Sequence, residues 1–391
     1  EVSGSPGPDG IPYEVLKAAP SAAAERLSPL FNKWLNEGVE NDERIREGHV
    51  TLFFKDGDRS DPKNYRPITL LNTGYKLFSQ IMTNRIAKLK SILFRSQQKG
   101  FVPGRMTLDN IANCKIAIEK GYRIALLDFS KAFDSIRHSA IIDSMEMLGF
   151  SKNTQMLILS MLGGKTYLKV AKRAGPFYCW RGVRQGDPIS PFLFALALEP
   201  LLEILNEETP TTPKIGGTPV NALAFADDLL IIDLDLNGIG KKVSIVENYR
   251  PFSGLSLNRK KCVVLGDPDS NLHPAINEFT YADEVKYLGA YINTNNNYEQ
   301  ITRTPWDKFL QRTDRWKVHL KGSGISTTGR SRLINCYITS ILTYQLFFNN
   351  PSHGQTYDFY KKLSSLMSKN NQAPQEAYWR PPPWKGGLEF Y

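Results

Sequence analysis

The chain has 391 residues, 41% apolar and 11% aromatic, enough for two or three packed subdomains and too apolar for a disordered polymer. Its 49 Lys and Arg exceed 39 Asp and Glu by ten charges, and the excess is concentrated: from Ile301 onward, 13 basic residues face 5 acidic ones. That basic C-terminal region points to a polyanionic partner, with a merely solubilising surface as the plain alternative.

In chain order, "SGSPGPDGIP" is a Gly/Pro-rich loop leading into a helix at about 12–18. "GHVTLFFKDGD" reads as a strand over 48–56 that ends in a Lys-Asp-Gly turn. The spacing of Leu77, Ile81, Ile86 and Leu89 predicts a helix over 74–94. "RIALLD" (123–128) is a short apolar strand ending in an acid. It is followed by a helix with Ile141, Ile142, Met145 and Leu148 on one face and Gly149 as its stop. "DPISPFLFALALEPLLEIL" predicts a second helix, with Ser190 as N-cap and Pro191 in the first turn. Its apolar run 191–198 is too short to span a bilayer. Beyond Asn293 the pattern turns helical, with Leu333, Ile334, Tyr337, Ile338, Ile341 and Leu342 on one stripe. The four cysteines lie far apart with no C-x-x-C pair, which excludes a zinc ribbon and suits a reduced, intracellular compartment. No basic-then-apolar leader marks the N-terminus.

The stretch "ALAFADDLLIID" (222–233) carries the main chemical signal. Two adjacent carboxylates sit in an apolar run, and burying even one unpaired carboxylate costs several kcal/mol or more. The flanks read as two strands with Asp227-Asp228 at a tight turn, which by itself explains the pair without any function. Asp128 changes the balance, because it ends another apolar strand. Three aspartates at strand ends can converge on one sheet edge. Mg2+ takes such oxygen ligands together with phosphates and water, and a pair of ions about 3.5–4 Å apart serves nucleotidyl transfer. Asp134, six residues after Asp128, is expected outside that shell. Between the acid blocks, "GVRQGDPISPF" supplies a Gly/Pro loop before a helix N-terminus, a place that favours anions.

Taken together, the blocks resemble the reverse transcriptases of non-LTR (LINE-type) retrotransposons. They are "GPDGIPYEVLK", "LFFKDGDRSDPKNYRPITLLNTGYKLFSQIMTNRI", "QQKGFVPGRMTLDNI", "ALLDFSKAFDSI", "GVRQGDPISPFLFALALEPLL", "AFADDLLII", "GLSLNRKKC" and "VKYLGAYI", in family order over residues 6–292. "LKGSGISTTGRSRLINCYITSILTY" and "PPPWKGGLEF" look like the family's thumb and post-thumb regions.

The resemblance implies an α+β right-hand polymerase. Residues 1–124 would form the N-terminal extension and fingers, 125–292 an antiparallel-sheet palm flanked by helices, and 293–391 a helical thumb and the start of the post-thumb region. A fingers insertion would fall around 150–182. The implied activity is RNA-directed DNA synthesis from a primer 3′-hydroxyl by two-metal transfer, as in target-primed retrotransposition. Carried over, Asp128 and Asp227 are the main ligands of two Mg2+ ions (Mn2+ as substitute), with Asp228 subsidiary and the Phe129 carbonyl completing the sphere. Phe133 matches the gate that rejects a ribose 2′-hydroxyl, with core packing as the bland alternative. Lys55 and Arg66 match the triphosphate clamp, and Gln185 a contact near the sugar. Lys261 matches a general acid for pyrophosphate, although Lys260 stands beside it, and Tyr287, Leu288 and Gly289 match a primer grip.

The implied partners are an RNA template, a DNA primer or target DNA and dNTPs, with no membrane, in the cytoplasm and nucleus. The family's endonuclease and zinc knuckle have no counterpart in these residues, so the chain reads as a polymerase core from a longer protein. A group II intron reverse transcriptase or maturase, and an inactive nucleic-acid-binding relative, are the competing readings. An RNA-dependent RNA polymerase is disfavoured by the bulk of Phe133.

Overall fold

The computed structural model describes residues 5–367, except 40, 41, 43, 170–172, 208, 210, 211, 270, 271, 295–297, 321, 322, 348–350 and 352. The "PPPWKGGLEF" stretch lies outside the described residues. The chain divides into two compact units: Glu1–Asn110, Tyr122–Val264 and Asp269–Thr280 form the first, and Ile111–Gly121, Leu265–Pro268 and Tyr281–Tyr391 the second.

The first unit is built on an antiparallel ladder. Strand Ala222–Phe225 pairs with Asp228–Asp233, which in turn pairs with Arg123–Leu127. Leu229, Leu230, Ile231 and Ile232 are all at most 2% exposed, so this strand is covered on both faces, which explains a continuous apolar run where an alternating one would leave a face wet. Helix Leu236–Asn248 packs on the ladder and buries Leu236, Ile239, Val243 and Val246, an i, i+3, i+7, i+10 stripe. The side chain of Asp235 caps it by accepting from the Gly238 N–H.

A second sheet, of four strands, belongs to the same unit. Gly48–Phe54 and Tyr65–Leu71 form an antiparallel hairpin, Lys165–Lys169 adds to it in parallel, and Arg173–Tyr178 returns antiparallel. The α+β class is therefore what the sequence led one to expect.

Most elements fall where the patterns put them: helix Tyr13–Ala18, strand Gly48–Phe54, strand Arg123–Leu127 and helix His138–Met147. Gly149 follows the last at φ +80°, the left-handed stop that a glycine takes without strain. The expected helix over 74–94 is Thr73–Ala87 followed by a separate short turn, Lys90–Leu93. Ser190 is not a cap. It is the first residue of helix Ser190–Ala197, and Ile189 stands at the cap position with no side-chain bond. The cap is supplied from further back, where Asp187 accepts from the Ile189 and Ser190 amides. A second helix, Glu199–Leu205, begins after Leu198, because Pro200 has no N–H to continue the first.

The second unit is mainly helical: Tyr298–Leu320, Thr327–Ile334 continuing through a π-helical turn at Asn335–Thr339 into Ser340–Leu346, and His353–Met367. Phe309, Ile334, Ile338, Leu342, Leu363 and Leu366 form its core. Tyr337, expected on the buried stripe, is half exposed and stacks on Trp316 with ring centroids 5.4 Å apart. The π-helical turn shifts the register at that residue. Among the described residues, no helix is long and apolar enough to cross a membrane.

Candidate active site

The acidic hairpin is tighter than the sequence implied, and its turn lies one residue earlier. Phe225 pairs directly with Asp228, so the two-residue connection is Ala226-Asp227, and Asp228 already belongs to the returning strand. Ala226 adopts φ +55°, a left-handed conformation that costs an alanine of the order of 1 kcal/mol or more. Leu127 pairs with Leu229 on the neighbouring strand, so Asp128 and Asp228 are the residues next to the last pair of that ladder.

The strained turn is held by a segment to which the sequence assigned no role. The Gln98 side-chain oxygen accepts from the Ala226 N–H at 3.1 Å and from the Gly100 N–H at 2.9 Å. Lys99 N–H donates to the Ala224 carbonyl, Ala224 N–H donates to the Gln97 carbonyl, and the Asn110 amide adds a third bond, also to Ala224, at 3.0 Å. Gly100 lies so close that a Cβ there would come within 2.1 Å of the Ala226 nitrogen. Gln98 and Asn110 are fully buried, and losing either partner would leave a buried polar group unpaired.

Electrostatics ties the acids to one another and to two of the expected cations. Burial pushes the Asp227 carboxyl above the ordinary carboxylate range; Asp128 repels it in the same sense, while Arg66 and Lys55 pull the other way. Asp228 is pushed up to about 6, first by burial and then by Asp227 and Asp128. Lys55 follows strand Gly48–Phe54, and Arg66 pairs with Phe53 in the facing strand, so the hairpin presents both cations to the acids. Asp128 is also fixed on its other side: its carbonyl accepts from the Asn258 N–H at 2.8 Å, and its amide points to the buried thiol of Cys262.

Phe133 sits in the short helix Ala132–Ser135, with its ring stacked on the buried Phe194 at 4.7 Å and edge-on to Phe101 at 6.3 Å. Phe101 also meets Phe225 at 6.2 Å, next to the acid turn, and is itself at φ +57°. The loop carrying Gln185 is tied to the clamp hairpin: the Thr69 N–H donates to the Gln185 carbonyl at 2.7 Å. A Cβ on Gly186 (φ +110°) would come within 2.5 Å of the Thr69 carbonyl oxygen, so only glycine allows that approach.

Comparison with known proteins bears on this arrangement. Residues 55–292 match the family model described as reverse transcriptase (RNA-dependent DNA polymerase). The chain belongs to the reverse transcriptase family. The relatives place it on the non-LTR branch. It is 34% identical over 55% of its length to a retrovirus-related Pol polyprotein from a type-1 retrotransposable element R2 of Popillia japonica. It is 29% identical over 85% of its length to the R2DM Pol polyprotein of Drosophila melanogaster, and 27% identical over 93% to the transposon TX1 149 kDa protein of Xenopus laevis. It spans 31%, 30% and 28% of those proteins respectively, about a third of their length. Among solved structures, it aligns with telomerase from Candida albicans (12% identity, 87% of this chain and 62% of that one, TM-score 0.46) and with apo telomerase from Candida tropicalis (11%, 89% and 66%, TM-score 0.48).

For this reverse transcriptase chain the remaining residues divide. Lys261 lies in the exposed turn Arg259–Lys261 and is not among the charges acting on Asp227 or Asp228. Its neighbour Arg259 is engaged by Glu247 and Glu278. Tyr287, Leu288 and Gly289 belong to the second unit, in the hairpin Glu284–Tyr287 and Ala290–Asn293. Leu288 (φ +47°) and Gly289 (φ +88°) make its turn, and the Tyr344 hydroxyl donates to the Leu288 carbonyl at 2.9 Å.

A buried network under "RQGD" was not legible in the sequence. Arg184 donates to the Tyr75 hydroxyl at 2.8 Å and to Asp187 at 3.3 Å, and Asp187 also accepts from Tyr75 at 2.9 Å and from Ser79. Both charges are nearly inaccessible, and Arg184 reaches across to the Arg46 carbonyl as well.

Among the described residues, no three or more His, Cys, Asp or Glu side chains are gathered closely enough to cage a metal ion by themselves. Mg2+ bound at these acids would take one or two carboxylates and complete its shell from substrate phosphates and water. Burial and mutual repulsion at Asp227 and Asp228 are the electrostatic condition that a divalent cation relieves.

Proposed function

We propose that the chain is an RNA-directed DNA polymerase that extends a DNA primer, or nicked target DNA, on an RNA template with dNTPs, as the polymerase portion of a retrotransposon protein acting in the cytoplasm and nucleus. The observation that carries this reading is the convergence of charge at Asp227, which feels the repulsion of Asp128 and the opposing attraction of Arg66 and Lys55. A site with acids beside cations on a neighbouring hairpin suits a triphosphate whose reacting end needs metal ions and whose distal end needs positive charge.

Asp128, Asp227 and Asp228, with the Phe129 carbonyl, would hold two Mg2+ ions, which when bound supply Lewis acidity at the primer 3′-hydroxyl and at the departing oxygen. Lys55 gives a point charge and Arg66 a bidentate fork to the β- and γ-phosphates. Phe133, backed by Phe194, excludes a ribose 2′-hydroxyl by bulk, and Gln185 contacts the nucleotide near its sugar. Lys261 delivers the proton that leaves with pyrophosphate. Tyr287, Leu288 and Gly289 hold the primer, with fingers over 1–124, palm over 125–292 and thumb beyond.

The test is dNTP incorporation on a primed homopolymer RNA with Mg2+. Asp227→Ala should abolish extension while leaving template–primer affinity intact, and retained extension would remove the metal assignment. In the same assay Phe133→Ala should raise rNTP use relative to dNTP on the order of tenfold to a hundredfold. Unchanged discrimination would end the gate role.

A further inference from the structure

A second concave surface, lined from Ser130, two residues past Asp128, takes no part in the roles above. Lys131, Arg137, Arg181 and Arg250, with Ser130 and Ser256 between them, line a cavity of about 440 Å³ in the first unit. Among the described residues, no acidic one lines it. Among the described residues none of the four cations has a carboxylate at ion-pair distance, although Asp134 lies near enough to feel the charge of Lys131. Arg137 is steadied from the rim, donating to the Pro251 carbonyl at 2.5 Å. Four like charges in one hollow repel one another, and a multivalent anion reverses that repulsion into attraction.

The position is as informative as the charge. The Ser130 N–H donates to the Ser256 carbonyl at 2.8 Å, and two residues along the same pairing the Asn258 N–H donates to the Asp128 carbonyl. The cavity wall is therefore the backbone that carries Asp128, and Lys131 and Ser135 stand at the two ends of the short helix that carries Phe133. Lys131 itself is at φ +48°, a left-handed conformation that a lysine adopts only when its surroundings impose it, and one that clusters at ligand-binding positions.

We propose that this cavity is a polyphosphate site that receives inorganic pyrophosphate as it leaves the acids. The proposal rests on the polymerase reading for its ligand. Arg forks and a Lys point charge suit non-bridging phosphate oxygens, and the hydroxyls of Ser130 and Ser256 add neutral donors. The cavity is half open to solvent and its four cations are exposed, which lets a small diffusible polyphosphate enter and leave.

The test compares the unaltered protein with Arg181→Glu/Arg250→Glu, and with Arg181→Gln/Arg250→Gln where the reversal fails to fold. Isothermal calorimetry with inorganic pyrophosphate is run in parallel with pyrophosphate inhibition of primer extension. It is repeated in Lys55→Ala/Arg66→Ala protein, where residual binding belongs to the cavity. The expected result is an affinity loss of about tenfold or more with a matching rise in the inhibition constant, at unchanged template–primer affinity. Equal pyrophosphate affinity in all proteins overturns the proposal. So does a variant that loses template–primer affinity while keeping pyrophosphate, which would assign the surface to nucleic acid. If the unaltered protein extends no primer, the polymerase reading fails, and calorimetry alone decides the cavity.

Discussion

The two units treat buried charge in opposite ways. In the first, Arg184 and Asp187 form an ion pair that is almost fully enclosed and closed off by Tyr75 and Ser79. In the second, the buried Arg330 donates to main-chain oxygens of Leu320 and Leu366 rather than to a carboxylate. A carboxylate partner fixes a position closely but leaves a costly remnant when broken, whereas carbonyl partners at helix ends satisfy groups that would otherwise be orphaned. The Arg184–Asp187 pair thus uses polar precision to hold a loop at a reaction centre, whereas Arg330 staples helix ends within an apolar core.

The contrast can be broken by experiment, beginning with the largest effect. Asp187→Ala leaves the Arg184 guanidinium buried without a carboxylate to neutralise it, and should cost about 3–5 kcal/mol of stability by urea denaturation. A loss below 1 kcal/mol would mean that water reaches the pair. Gly100→Ala forces a Cβ against the Ala226 backbone and should lower primer extension about 100-fold with a much smaller change in melting temperature, because misplacing a catalytic group by about 1 Å is enough. Equal losses of activity and stability would show that the clamp serves only the fold. Arg330→Met should cost about 1–3 kcal/mol and leave nucleotide discrimination intact. A cost matching that of Asp187→Ala would erase the distinction between the units.

The smallest effect carries a pH signature. Burial pushes Glu199 up to about 7 from an ordinary value of 4.5, against the pull of Arg95 and Arg105. The folded state therefore holds its proton more tightly than the unfolded chain. Stability contributed by the protonated form is full below about 4.5 and is lost as pH rises through about 7. Glu199→Gln should stabilise by about 1–3 kcal/mol at pH 8 and by little at pH 5. A gain that is the same at both pH values would place the cause outside titration.

The sequence exposed what is periodic or punctuated. Apolar runs ending in Asp128 and Asp227 announced strands that converge, and Gly149 marked a helix end. It hid what depends on long-range approach. The turn was placed on Asp227-Asp228 because aspartates favour turns, whereas the left-handed residue is Ala226, held by the remote Gln98. "QQKG" has no periodicity from which a clamp could be read. "RQGDP" read only as a Gly/Pro loop before a helix N-terminus, because a buried Arg–Asp pair and an exposed one have the same sequence. Ser190 resembled a cap until Asp187, three residues earlier, supplied that bond.

The parallel pairing of Gly48–Phe54 with Lys165–Lys169 has a consequence for biosynthesis. More than a hundred residues separate the two strands, so the hairpin bearing Lys55 and Arg66 must wait exposed while the intervening chain is made. Leu52, Phe53 and Phe54, which alternate between its two faces, are all substantially exposed even in the finished fold. Such an edge invites pairing with other chains during that interval. A nascent chain halted before residue 165 should accordingly be prone to aggregation, and release beyond residue 178 should reduce that tendency by completing the sheet.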